Sequence, residues 1–144
     1  MISSYFPSEE ELYSLFQDAF RLQEENMLLQ AEKKYLQILS YVSDVWLIHY
    51  NLGLLYFQLG RFDSSVEHYN KALKRAGDNP DIFFNLAICL KQCGRYEEAV
   101  NAYNSALEIE PGDLDCLYNL AGCYLAAGDH TKASKRYQEL LAIT

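Results

Sequence analysis

Hydrophobic positions in residues 80–113 fall into two helical stripes. Phe83, Leu86, Ala87 and Leu90 recur at i, i+3, i+4 and i+7, the apolar face of an amphipathic helix. Tyr96, Ala99, Val100, Tyr103, Ala106 and Leu107 make a second stripe. Gly94 lies between them, and glycine closes a helix in the left-handed conformation without a Cβ penalty. Pro111 stops the second stripe because proline lacks the amide donor that a helix interior needs. Ala87, Ala99 and Ala106 are small, so two antiparallel helices can pack closely. The pattern predicts a helix, a tight turn and a second helix lying back along the first.

This unit recurs. Gly60, Gly94 and Gly128 stand 34 residues apart (94 − 60 and 128 − 94). Asn51-Leu52, Asn85-Leu86 and Asn119-Leu120 keep that period, as do Tyr69, Tyr103 and Tyr137. A fixed period of this length marks a repeat array, whose units are too small to bury their stripes alone and must stack. Upstream, Ser8-Glu9-Glu10-Glu11 reads as a capping box whose carboxylates also suit a helix N-terminus. Leu12, Leu15, Phe16, Ala19, Phe20 and Leu22 follow on a first helix; Leu28, Ala31, Tyr35, Ile38 and Leu39 lie on a second. Asn26 is expected to replace the turn glycine between them. Residues 1–7 read as a mobile lead-in, Ser43-Asp44 as a break, and Gly77-Asp78-Asn79-Pro80 as a further helix stop.

In residues 80–113, Phe83, Leu86, Ala87, Leu90, Ala99, Tyr103, Ala106 and Pro111 resemble the tetratricopeptide repeat family, with Phe83 where the family favours Trp. Residues 46–79 match through Leu52, Gly53, Tyr56, Tyr69 and Ala72, and depart at His49, Ser65 and Gly77. Residues 114–144 match through Leu120, Ala121, Tyr124, Ala133 and Tyr137, then stop short of a full unit. Residues 12–45 form a degenerate unit. The resemblance implies one domain over 1–144: an all-α solenoid, a right-handed superhelix of about four helix pairs and eight helices.

Charge narrows the partners. The net charge of −8 argues against nucleic acid, which is bound through clustered Lys and Arg. No basic run suggests an anionic membrane surface, and no apolar run approaches the roughly 18 residues of a membrane span. A basic n-region followed by an apolar core is lacking, so the default is a cytoplasmic protein or a piece of a larger one.

Little suggests chemistry. Cys89 and Cys93 have metal-ligand spacing on a helix face, but a zinc site needs four ligands and no histidine is near in the repeat. Cys116 and Cys123 replace small apolar residues, so reduced, metal-free core packing is expected. His49 and His130 occupy aromatic positions and are expected to pack, whereas His68 is expected to face solvent. Glu9-Glu10-Glu11 and Glu24-Glu25 suit a helix cap and a solvated face better than catalysis, and no glycine-rich phosphate loop occurs. No cofactor, metal or enzymatic activity is expected.

In the resembling family the first helix of each unit lines a concave groove. That places Phe16, Gln17, Tyr50, Asn51, Leu54, Phe57, Phe84, Asn85, Ile88, Lys91, Tyr118 and Asn119 on its surface. Phe16, Tyr50, Phe84 and Tyr118 form an aromatic ladder; Asn51, Asn85 and Asn119 form an amide ladder headed by Gln17. A row of amides can bind a peptide backbone whatever its sequence, or can support the helix array itself. Family members that clamp acidic chaperone tails use Lys and Arg along the groove. Registered from Trp46, this chain offers Tyr50, Leu54, Asn85, Asp115 and Asn119; registered from Leu12, Phe16, Phe20, Asn51, Asp81 and Asn85, so that activity is excluded. The expected function is a module that binds an extended peptide of a partner protein. The alternatives are self-assembly through an uncapped C-terminal face and the recognition arm of a longer enzyme.

Overall fold

The computed structural model describes residues 5–143; Met1 to Ser4, part of the expected lead-in, lie outside them. Among the described residues there are eight helices: α1 (Glu9–Glu24), α2 (Leu28–Tyr41), α3 (Trp46–Gln58), α4 (Phe62–Ala76), α5 (Pro80–Gln92), α6 (Tyr96–Ile109), α7 (Leu114–Ala126) and α8 (His130–Ile143). Each odd helix packs on the even one that follows, and α4 on α5 and α6 on α7 join the pairs into an all-α solenoid. First helices also meet directly, α3 against α5, so they occupy the tighter side of the stack.

The period is written in the turns. Asn26, Gly60, Gly94 and Gly128 have φ of 62°, 75°, 74° and 84°. At each, the residue after the turn donates back five positions: Met27 to Leu22, Arg61 to Tyr56, Arg95 to Leu90 and Asp129 to Tyr124, at 2.8, 2.8, 2.9 and 2.8 Å. These are Schellman closures, which satisfy carbonyls that a helix end would leave bare. Asn26 serves as the turn residue expected of it.

The helix starts are equally local. Ser8 Oγ accepts from the Glu11 amide at 3.1 Å, while the Glu11 carboxylate accepts from the Tyr5 hydroxyl. Residues 5–7 are therefore attached rather than loose: Pro7 is buried and the Phe6 ring meets Tyr41 edge-on at 6.0 Å. Asn79 and Asp113 cap α5 and α7, with Pro80 at the first helical position of α5.

Four tyrosines of the second helices fill the middle of the pairs, and Tyr35, Tyr69 and Tyr103 are fully buried. Small residues make room for them. At Gly53 the fit is tightest: a β-carbon there would stand 2.5 Å from the Tyr69 ring. Ser65 Oγ donates to the Gly53 carbonyl at 2.7 Å and holds α4 against α3. Replacing Gly53 by Ala gains helix propensity but forces a ring that has no free space to move. Gly53→Ala should lower unfolding stability by about 1–3 kcal/mol, read by urea titration. Unchanged or raised stability would show that α4 can shift outward at no cost.

Candidate functional site

The first-helix faces do not present the residues expected there evenly. Each rung of the aromatic ladder packs on the tyrosine of its own pair: Phe16 on Tyr35, Tyr50 on Tyr69, Phe84 on Tyr103 and Tyr118 on Tyr137, with centroids 6.3, 5.9, 6.0 and 6.2 Å apart. The first three are half-buried, so much of each ring belongs to the array; Tyr118 is 59% exposed.

The amide ladder is interrupted. Asn51 is only 5% exposed and does not offer its side chain to the groove. Its backbone carbonyl joins a partly buried polar network unforeseen in the sequence. Tyr35 donates to Gln23 Oε1 at 2.8 Å, and Gln23 Nε2 donates to Gln58 Oε1 at 3.1 Å and to the Asn51 carbonyl at 3.4 Å. Gln23 shares a repeat position with Phe57, Lys91 and Leu125, so periodicity alone gave no hint of a polar tie. Asn85 and Asn119 are half-buried: Asn85 Nδ2 donates to the Tyr50 hydroxyl at 3.2 Å and Asn119 Nδ2 to the Asp115 carbonyl at 2.7 Å. Among the described residues those are their only side-chain bonds, leaving each amide with acceptor and donor capacity.

Gln17 is exposed, Leu54 and Ile88 are half-buried, and Phe57 is exposed beside Phe62, centroids 5.3 Å apart. Lys91 reaches across to α7, with Nζ 3.6 Å from where a Gly122 β-carbon would stand. Near the start of the array, α1, the end of α2 and the start of α3 enclose an apolar cleft of about 360 Å³. Leu12, Tyr13, Phe16, Val45, Leu47 and Ile48 wall it, with Ile38 and Val42 behind them and Glu9 at its edge.

Sequence segments 45–111 and 94–144 both match models of the tetratricopeptide repeat. The chain belongs to the tetratricopeptide repeat family. No curated protein sequence matches it significantly. Among solved structures, it superposes on a crystal structure of MamA with a TM-score of 0.86 and 16% identity, over 92% of this chain and 72% of that one. MamA 41-end from Desulfovibrio magneticus RS-1 gives 0.88 and 12% over 94% and 76%; MamA AMB-1 gives 0.85 and 20% over 92% and 78%. At these identities the likeness is one of fold. Tetratricopeptide arrays are generally non-catalytic protein-interaction modules, and no helix among the described residues is long and apolar enough to cross a membrane.

The remaining candidate chemistry resolves into packing. Cys89, Cys116 and Cys123 are buried, and burial pushes the first two thiols up to about 11 and about 12. Cys93 is half-buried, with Sγ 3.5 Å from an Asp63 carboxylate oxygen. His130 is exposed at the start of α8 rather than packed, while Ala133 of the same turn faces the core. His68, expected in solvent, is half-buried between two rings, Tyr56 and His49, each with its centroid 5.3 Å away.

His49 Nδ1 and His68 Nδ1 are 3.1 Å apart, and His49 Nε2 faces the Ser43 carbonyl at 3.4 Å. That carbonyl can only accept, which places a proton on His49 Nε2 and leaves neutral His49 Nδ1 to accept from His68. Charging both rings would set two N–H groups against each other. Burial, then the neighbouring His49 and Lys71, holds His68 down to about 4 from the usual 6.5. The native state thus binds fewer protons than the unfolded chain, so stability falls as pH drops from about 6.5 towards 4. The loss should be about 1–2 kcal/mol between pH 7 and 4.5, allowing for solvent screening. His68→Phe, which keeps the ring stack, should flatten this dependence in urea unfolding; parallel wild-type and variant profiles would refute the assignment.

Proposed function

We propose that the chain holds an extended segment of a partner protein against the first-helix faces, as a non-enzymatic interaction module. The supporting observation is where apolar surface remains. Tyr13, Leu47, Phe57, Tyr118 and Leu125 are exposed on α1, α3 and α7, while the middle second helices α4 and α6 expose no large hydrophobic side chain apart from Ile109 at the end of α6. Apolar surface repeated along the first helices marks an interaction site, beside separate exposed apolar side chains at Leu29 and Leu36 on α2 and at Leu141 and Ile143 on α8. Asn85 and Asn119 supply the backbone contacts; Leu54, Phe57, Ile88 and Leu125 take side chains.

Asn51 is omitted from the test because its burial ties it to the fold. Against peptides selected from a random library on the wild-type protein, Asn85→Ala with Asn119→Ala should weaken binding about 5- to 150-fold, since each lost amide–backbone bond costs about 0.5–1.5 kcal/mol. Helicity should be retained, alanine being a good helix former. If no selected peptide is sensitive to this change, the first-helix faces are not the site.

A second reading is self-association through α8, where Leu141 is 73% exposed and Ile143 is exposed beside it. Light scattering across a concentration series should then show dimers that Leu141→Glu abolishes. A mass that stays monomeric at every concentration counts against it.

A further inference from the structure

We propose that the apolar cleft between α1 and α3 anchors one bulky apolar side chain of a basic linear segment, whose Lys or Arg side chains lie over Asp81 and Asp115. This partner class presupposes the groove binding proposed above and narrows it.

One repeat position carries the pattern. Tyr13, Leu47, Asp81 and Asp115 stand at successive steps of 34 along the chain, on α1, α3, α5 and α7. The first two line the cleft and the last two are exposed carboxylates. The surface is therefore apolar at one end of this row and acidic at the other. Glu9 adds a third carboxylate at the rim of the cleft. Among the described residues, none of Glu9, Asp81 and Asp115 has an ion-pair partner. Lys91 is the only cation among the sequence-expected groove residues, and the chain as a whole carries −8.

The cleft follows from a local departure. Val42–Val45 interrupts the helices between α2 and α3, and α2 packs less closely on α3 than α4 does on α5. At about 30 Å³ per water, its 360 Å³ would otherwise hold on the order of ten waters against hydrocarbon walls. Releasing them to an apolar side chain is favourable. Leu, Ile, Met or Phe fits such a wall, whereas a charged side chain would lose its hydration there.

Spacing gives the ligand's pattern. Packed helices stand roughly 10 Å apart, and an extended chain advances about 3.3 Å per residue. From an anchor at α3, Asp81 and Asp115 therefore lie about three and six residues on. The partner segment carries one bulky apolar residue with cations three and six positions away. Steering by the acidic field makes its association salt-dependent, more so than a neutral ligand's.

The test uses fluorescence anisotropy with labelled twelve-residue peptides carrying one leucine and lysines three and six residues from it, written in both chain directions. One direction should bind the full chain, at least tenfold more weakly in 0.5 M than in 0.05 M salt. Replacing the peptide lysines by glutamate, or its leucine by serine, should each cost tenfold or more. On the protein, Leu47→Glu should remove the leucine contribution, and Asp81→Lys with Asp115→Lys should remove the salt dependence. All three positions are exposed, and circular dichroism would establish that the variants stay folded. Equal binding of the glutamate peptides overturns the proposal, as does indifference to both protein variants. Library peptides lacking the apolar–cation spacing, yet lost on the Asn85 and Asn119 changes, overturn it while leaving the groove reading intact. No binding by any peptide refutes both. Self-association abolished by Leu47→Glu would make a second copy the occupant and overturn the basic-segment assignment.

Discussion

Each helix pair closes on a tyrosine of its second helix, and the rest of the array depends on that contact. Tyr35, Tyr69 and Tyr103 are fully enclosed, and with Tyr137 each meets an aromatic ring from the first helix of its pair. A ring of this size fits between two helices only if the residues around it are small, which is why Ala19, Gly53, Ala87 and Ala121 recur at one position. The Schellman turns then have one task, to reverse the chain within three residues so that ring and notch meet. Local closure and nonlocal packing agree, as they do in sequences that fold to a single state.

The second unit is where the array departs from its own rule. His49 and Ser65 depart from the family pattern here, and α3 and α4 are joined by the Ser65 hydroxyl donating to the Gly53 carbonyl and by a three-ring stack. On the other side of α3, Gln23, Tyr35 and Gln58 form a polar tie to the first pair. Buried polar contacts are orientation-specific in a way that apolar contacts are not. The degenerate first unit is thus held in register by hydrogen bonds where its apolar packing is thinnest. The same thin junction leaves the apolar cleft between α1 and α3.

Function in such an array resides in what the stacking leaves over. Aromatic rungs that look available along one face are largely consumed by their own pairs, and one of three asparagines is buried. The surface that remains is uneven: along one repeat position it is apolar at Tyr13 and Leu47 and acidic at Asp81 and Asp115. An uneven surface selects ligands with matching polarity along their length, which a uniform row of amides cannot do.

The sequence by itself determined the architecture. The period of 34, the turn residues Asn26, Gly60, Gly94 and Gly128, the Ser8, Asn79 and Asp113 caps and the buried stripes are all local or nearest-neighbour features, and a repeat stack has few others. Which side chains remain at the surface was decided only in three dimensions. Asn51, Asn85 and Asn119 occupy one repeat position, yet only Asn51 is buried, where Gln23 of α1 reaches across to its carbonyl and to Gln58 further along α3. His68 looked solvent-facing in the repeat but found Tyr56 and His49 across the α3–α4 contact. Periodicity specifies where a residue points within its unit. Its exposure also depends on how far the neighbouring unit tilts, and that is set by side-chain volumes summed over both partners.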